Sequence, residues 1–166
     1  MKLQVTDDSG FLALIDPDAY SGFVANDWDL DDVVDRFRRE MAGRHLLIWG
    51  TGVEGCWTVE VSLEARPEAG AREVVGSIVS SRGRLLVTNY ESLTMAAQFE
   101  DVTLPEPHQD KDVLDVTPGT YRCRIVQRAR EASNWAEGAA PEFLIELLPA
   151  IGPEPAWTSI PWTDLD

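Results

Sequence analysis

The chain has 166 residues, a hydrophobic fraction of 44% and a formal net charge of −15 at pH 7. That is enough chain for one domain with a substantial core, and the longest apolar run falls far short of the roughly 20 residues that span a bilayer. The charge argues against nucleic acid and anionic membranes as partners and in favour of basic ones. It is also uneven. Residues 1–35 hold nine acids and one base, residues 131–166 hold seven acids and no base, and the stretch between them is balanced. The segment from Met1 to Asp8 has no basic run leading into an apolar core, so a secretory signal is not expected and a cytoplasmic location follows. Cys56 and Cys123 lie far apart with no C-x-x-C partner, which suits reduced thiols.

In chain order, Leu3 and Val5 alternate with polar residues, Asp7 to Gly10 is turn chemistry, and Phe11 to Ile15 is a second apolar run. This predicts a hairpin ending at Asp16-Pro17-Asp18. The next segment is the clearest helix in the chain. Asp29 is an N-cap, Asp31 and Asp32 fall in the first turn, and Leu30, Val33, Val34, Phe37 and Met41 recur at helical spacing. Gly43 stops it, giving a helix over 29–42.

Leu46 to Trp49 is continuously apolar, as in a strand covered on both faces. Trp57, Val59, Val61 and Leu63 then alternate with polar residues, predicting a second hairpin. Its loop, Gly50-Thr51-Gly52-Val53-Glu54-Gly55, matches G-x-G-x-x-G. A dinucleotide fingerprint needs a helix after that loop, and the residues that follow are β-formers with period two. A glycine-rich loop between strands is therefore expected, with no nucleotide site.

Two further strands, from Arg72 to Ser80 and from Arg84 to Tyr90, flank Ser81-Arg82-Gly83. Leu93 to Phe99 fits either a strand or one helical turn. Pro105 to Asp112 reads as a polar loop. At Pro118-Gly119 a turn leads into a strand where Tyr121, Cys123 and Ile125 face one way and Arg122 and Arg124 the other. A polar loop carrying Trp135 follows, then a last strand with Phe143, Ile145 and Leu147.

The strand count predicts a mainly β (α+β) fold: an antiparallel β-sandwich or distorted barrel of about nine strands with one amphipathic helix. The domain should occupy residues 1–148 and a Pro- and Trp-containing arm residues 149–166.

Catalytic signatures are missing. His45 and His108 have no second ligand at zinc spacing, the aspartates near residue 30 lack the glycine and glutamate of a calcium loop, and no G-x-S-x-G occurs. No cofactor, metal or catalytic residue is assigned. Two groups remain. Arg122, Arg124 and Arg128, with Arg130 beyond them, could hold an anion, though cross-strand ion pairs are the commoner use of such a strand. Asp27, Trp28, Asp29, Asp31, Asp32, Asp35, Trp135, Trp157 and Trp162 combine charge with aromatics expected to be exposed, the make-up of a protein-docking surface. Glu137, Glu142 and Glu146 could extend it.

The stretch Asp115 to Gln127, with a turn glycine before an alternating Tyr strand late in a β-rich chain, resembles the competence protein J family of DNA-entry nuclease inhibitors. Asp16 to Tyr20 and Leu47 to Gly52 are similar to segments of an uncharacterised group of bacterial proteins. The first resemblance implies an acidic inhibitor of a nuclease. The reading is thus a non-enzymatic acidic binding protein, of immunity-protein or nuclease-inhibitor type, that docks to a basic protein. The alternative is a small-molecule-binding or enzymatic β-sandwich whose pocket combines Trp49, Trp57 and the arginine face.

Overall fold

The computed structural model describes residues 1–128, 140–152 and 154–163. Among these residues, nine strands form two sheets. The five-stranded sheet has the order β1(Lys2–Asp7), β4(Gly55–Ser62), β9(Phe143–Pro149), β8(Gly119–Gln127), β5(Arg72–Ser80). The four-stranded sheet has the order β3(Leu46–Gly50), β2(Phe11–Ile15), β6(Arg84–Asn89), β7(Val113–Asp115). The sheets face one another as a sandwich and do not close into a barrel. Most pairs are antiparallel, but β4 and β9 run parallel, Val59 opposite Phe143. That pair departs from the expected antiparallel pattern, since a long stretch of chain rather than a turn separates β4 from β9.

Both predicted hairpins are also corrected. β1 pairs with β4 and β2 with β3 and β6, so the short links β1–β2, β3–β4 and β5–β6 each cross from one sheet to the other. The first crossing is held by a buried side chain. Asp7 accepts from the backbone N–H of Ser9, Gly10 and Phe11 at 3.0, 2.8 and 2.9 Å, and from Thr51 Oγ1 at 3.1 Å. In the second crossing Gly52 has φ +92°, a conformation costly to other residues, and β4 rather than a helix follows. The nucleotide fingerprint is therefore a loop between sheets.

Helix α1(Leu30–Ala42) has its N-cap at Asp29, which accepts from Asp32 N at 3.0 Å while Asp32 accepts in return from Asp29 N at 3.2 Å. This reciprocal box satisfies two of the donors that a helix start leaves open. Val33, Val34, Phe37 and Met41 are buried, and α1 packs on β3. By sequence, residues 93–99 fit either a strand or one helical turn. They belong to α2(Tyr90–Gln98), capped by Asn89, whose side chain accepts from Ser92 N at 2.9 Å. Tyr90 is thus helical, not the end of β6. It packs edge-on to Phe37, centroids 6.1 Å apart, joining the two helices. The polar loop contains a 3-10 helix, Pro107–Asp112, whose buried Gln109 donates to Thr88 Oγ1 and Ser92 Oγ.

The four-stranded sheet is covered on one face by the other sheet and on the opposite face by the helices, which is why β3 is apolar at every position. Trp49 and Trp57 lie fully inside, both against Phe143. Cys56 and Cys123 are both free thiols.

Candidate functional site

The arginine strand folds as its alternation dictates: Tyr121, Cys123 and Ile125 face the core and Arg122 and Arg124 the outer surface. Trp49 and Trp57 sit in the core, on the opposite side of this sheet from those arginines, so one pocket cannot combine them. The outer face is already matched in charge. Arg124 meets Glu73 at 2.9 Å and Glu146 at 3.5 Å, and also donates to the backbone carbonyls of Arg66 and Glu68. Arg122 lies 3.5 Å from Glu154 and 4.0 Å from Glu146. Arg128 donates to Glu60 at 2.9 Å, to Glu68, and to Pro141 O. Burial opposes the charge on Arg128, but the hydrogen bonds it donates to Glu68 and Glu60 hold its pKa up, and the Arg128 bond holds the Glu60 carboxyl below its ordinary value. These arginines are ion-pair partners within the fold.

Glu142 and Glu146, expected to extend the acidic surface, are buried instead. Glu142 accepts from Thr58 N at 2.8 Å and Glu146 from Arg66 N at 2.6 Å. Alternation gave them an outward face, but the segment 64–69 lies over it. Glu137, Arg130 and Trp135 fall outside the described residues.

Trp157 is corrected as well. It is only 8% exposed, and its Nε1 donates to Val75 O at 2.8 Å. Gly76 makes room for it: a Cβ there would come 2.6 Å from Trp157 Nε1. With Ile160 also buried and Pro161 O accepting from Gly50 N, this part of the arm seals the side where β3 and β5 are the sheet edges. Trp162 is half-buried with the Arg72 guanidinium 4.3 Å above its ring, and Trp28 is half-buried against the core.

What remains open is the start of α1. Asp27, Asp29, Asp31, Asp32 and Asp35 are all exposed. Asp35 pairs with Arg38 at 3.0 Å; the other four make no ion pair among the described residues. Leu30, among them, is 46% exposed. The irregular segment leading into this turn is tied to α2: Val24 N and Ala25 N donate to Ala97 O, and Gln98 Nε2 donates to Asn26 O. Those bonds bring the exposed apolar side chains of Met95 and Phe99, and the exposed Glu100 and Asp101, next to the aspartate turn. Apolar contacts ringed by acids are what a docking surface for a basic protein requires. The α2 contribution was missed because an N-cap directly after a strand leaves no loop to announce a helix.

Two solved structures share this fold. One is described as crocagin biosynthetic gene J; it is 21% identical with a TM-score of 0.59, over 90% of this chain and 94% of that one. The other is ComJ of Bacillus subtilis, described as the inhibitor of the DNA-degrading activity of NucA; it is 9% identical with a TM-score of 0.52, over 90% of this chain and 96% of that one. The latter represents the family that the Asp115–Gln127 stretch resembles. At these identities the likeness is one of fold. No protein-family model matches the chain, and no curated protein matches it. No helix is long and apolar enough to cross a membrane among the described residues.

Proposed function

We propose that this chain is a non-enzymatic, acidic binding protein of the bacterial cytoplasm that docks on a basic protein, as a nuclease inhibitor or immunity protein does. The observation that carries the reading is the contrast in charge matching: the arginine face is paired within the fold, whereas Asp27, Asp29, Asp31 and Asp32 are exposed and unpaired among the described residues. Capping uses Asp29 and Asp32. The others add a field that acts outward and speeds encounter with an oppositely charged surface. Leu30, Met95 and Phe99 supply the apolar contact that charge alone does not. The ComJ likeness supports the inhibitor form of the reading, since that protein is described as restraining a DNA-degrading enzyme.

The test is capture from a bacterial lysate by the wild type and by the triple variant Asp27→Asn, Asp31→Asn, Asp35→Asn, followed by nuclease assay of what is held. Basic proteins should bind the wild type and be released as salt rises from about 0.05 to about 0.5 M, where the Debye length shrinks from about 14 to about 4 Å. Capture unaffected by both salt and the substitutions would defeat the reading.

A further inference from the structure

The second open feature is the outer edge of β1. This strand ends the five-stranded sheet and, among the described residues, pairs only with β4. Met1 N donates to Val61 O at 2.8 Å and Val61 N to Met1 O at 2.7 Å, so Met1 and Val61 exchange both bonds. In an antiparallel ladder every second pair does so. Leu3, Val5 and Asp7 therefore bond to β4, while Lys2, Gln4 and Thr6 turn their N–H and C=O groups away from it. One contact checks this phase independently: Asn89 Nδ2 donates to Thr6 O at 2.7 Å from outside the sheet. Lys2 and Gln4 are left with one backbone donor and one acceptor each, and these have no partner among the described residues.

Beside this edge lies a cavity of about 420 Å³, lined by Lys2, Leu3, Gln4, Thr58, Lys111 and Asp112. Asp112 is only 8% exposed, and its Oδ1 is buried with no hydrogen-bond partner among the described residues. An acceptor left bare in this way costs stability unless something donates to it. Lys111 is its nearest neighbour in sequence but makes no hydrogen bond to it, and Lys2 stands opposite Glu60 across the ladder. An unpaired strand edge with a bare carboxylate beside it has the parts of a strand-addition site: backbone groups for affinity and a side-chain pocket for selection.

We propose that the β1 edge accepts an extended segment of the basic partner protein as an added strand, pairing with Lys2 and Gln4 and offering a lysine or arginine to Asp112. This rests on the reading above only for the partner's basic character; it shares no residue with the aspartate surface. The chain's charge of −15 disfavours a second copy of itself as the occupant.

The probe is an acetylated, amidated heptapeptide alternating lysine and valine. The controls are the same peptide with glutamate for lysine and the same peptide N-methylated at its valines. Amide hydrogen exchange at Lys2 and Gln4 and fluorescence anisotropy are measured. Saturating lysine peptide should slow exchange at Gln4 by at least about tenfold, as expected for an N–H drawn into a ladder. Gln4→Pro should abolish binding. It removes a donor that points away from β4, at the kind of edge position where proline is tolerated, so the fold survives. Asp112→Asn should weaken binding by about tenfold, equivalent to about 1.4 kcal/mol. Absence of binding at about 1 mM peptide, about −4 kcal/mol, overturns the proposal. So does equal binding of the glutamate or N-methylated peptide, or a dimer that Gln4→Pro dissociates. The triple aspartate variant should bind the peptide like the wild type. Loss of lysate capture in that variant with no peptide binding to the wild type would therefore sink the edge site and leave the docking surface standing.

Discussion

The outer face of the five-stranded sheet and the first turn of α1 are both rich in charge, and they use it in opposite ways. On the sheet, Arg122, Arg124 and Arg128 each meet carboxylates, one of which, Glu146, is only 4% exposed. On the helix, four of five aspartates face water unpaired among the described residues. Charges matched within a fold are partly withdrawn from solvent, and the fold depends on each partner being present. Unmatched surface charges contribute little to stability, so their removal is felt by whatever they attract. The comparison teaches that the location of unpaired charge, rather than its total, marks a surface that faces another molecule.

The largest effect should come from the matched side. Glu146→Ala leaves Arg122 and Arg124 short of a carboxylate and Arg66 N short of an acceptor. It should lower the unfolding free energy by about 3 kcal/mol in urea titration. A loss below about 1 kcal/mol would mean that this face is as loosely coupled as the helix.

The helix aspartates should then divide among themselves. Asp29→Ala removes the cap and should cost about 1 kcal/mol. Asp31→Asn, outside the capping box, should stay within about 0.5 kcal/mol while lowering affinity for the basic partner. Equal costs for the two substitutions would erase the distinction between capping and docking carboxylates.

The smallest effect is the shape of the acid limb. Arg84 holds the Asp18 carboxyl below its ordinary 3.8, and Arg128 holds Glu60 below its ordinary 4.5. A lowered folded-state pKa gives stability that is present above the unfolded value and lost as pH falls through the folded one. These two groups therefore predict loss of stability below about pH 4. Asp112 has the opposite sign, because burial raises its carboxyl against the weaker pull of Lys111 and His108. Its folded state takes up a proton more readily than the unfolded chain, so its contribution improves as pH falls from neutral through the raised value. Thermal melts from pH 7 downward should show Asp112→Asn more stable than wild type at pH 7, with the gap closing by about pH 4. Glu60→Gln should flatten the limb below that. A gap for Asp112→Asn that widens on acidification would contradict the burial of its carboxylate.

The legibility of the sequence follows the range of the forces involved. α1 and its Asp29 cap could be read because the stripe and the cap lie within one stretch of chain. The facing of Tyr121 against Arg122 could be read because strand period is local. The hairpins could not: the turn chemistry of Asp7 to Gly10 serves equally to fold a strand back or to carry it across to another sheet. The parallel pairing of Val59 with Phe143 joins segments that only the tertiary structure brings together. Glu142 and Glu146 read as surface because alternation defines two faces and does not say that residues 64–69 cover one of them. Asp112 left no signal, being one polar residue among several in a polar stretch, and its burial comes with the packing of the 3-10 helix on β6 beside the β1 edge.

The three crossings between sheets also set the order in which the chain can fold. No strand here pairs with the next one across a tight turn: Lys2 waits for Glu60, Arg72 for Gln127, and β4 for β9 near the C-terminal end. A nascent chain can pair β2 with β3 and β1 with β4 only across long connections, and β5 and the second edge of β4 stay unpaired until β8 and β9 leave the ribosome. A topology dominated by distant pairings folds on the millisecond-to-second scale rather than in microseconds. Meanwhile β5, whose partner β8 comes much later in the chain, stands exposed to aggregation. The acid-rich residues 1–35 precede β5 in the chain. Like charge on such a segment disfavours contact between neighbouring unfolded chains.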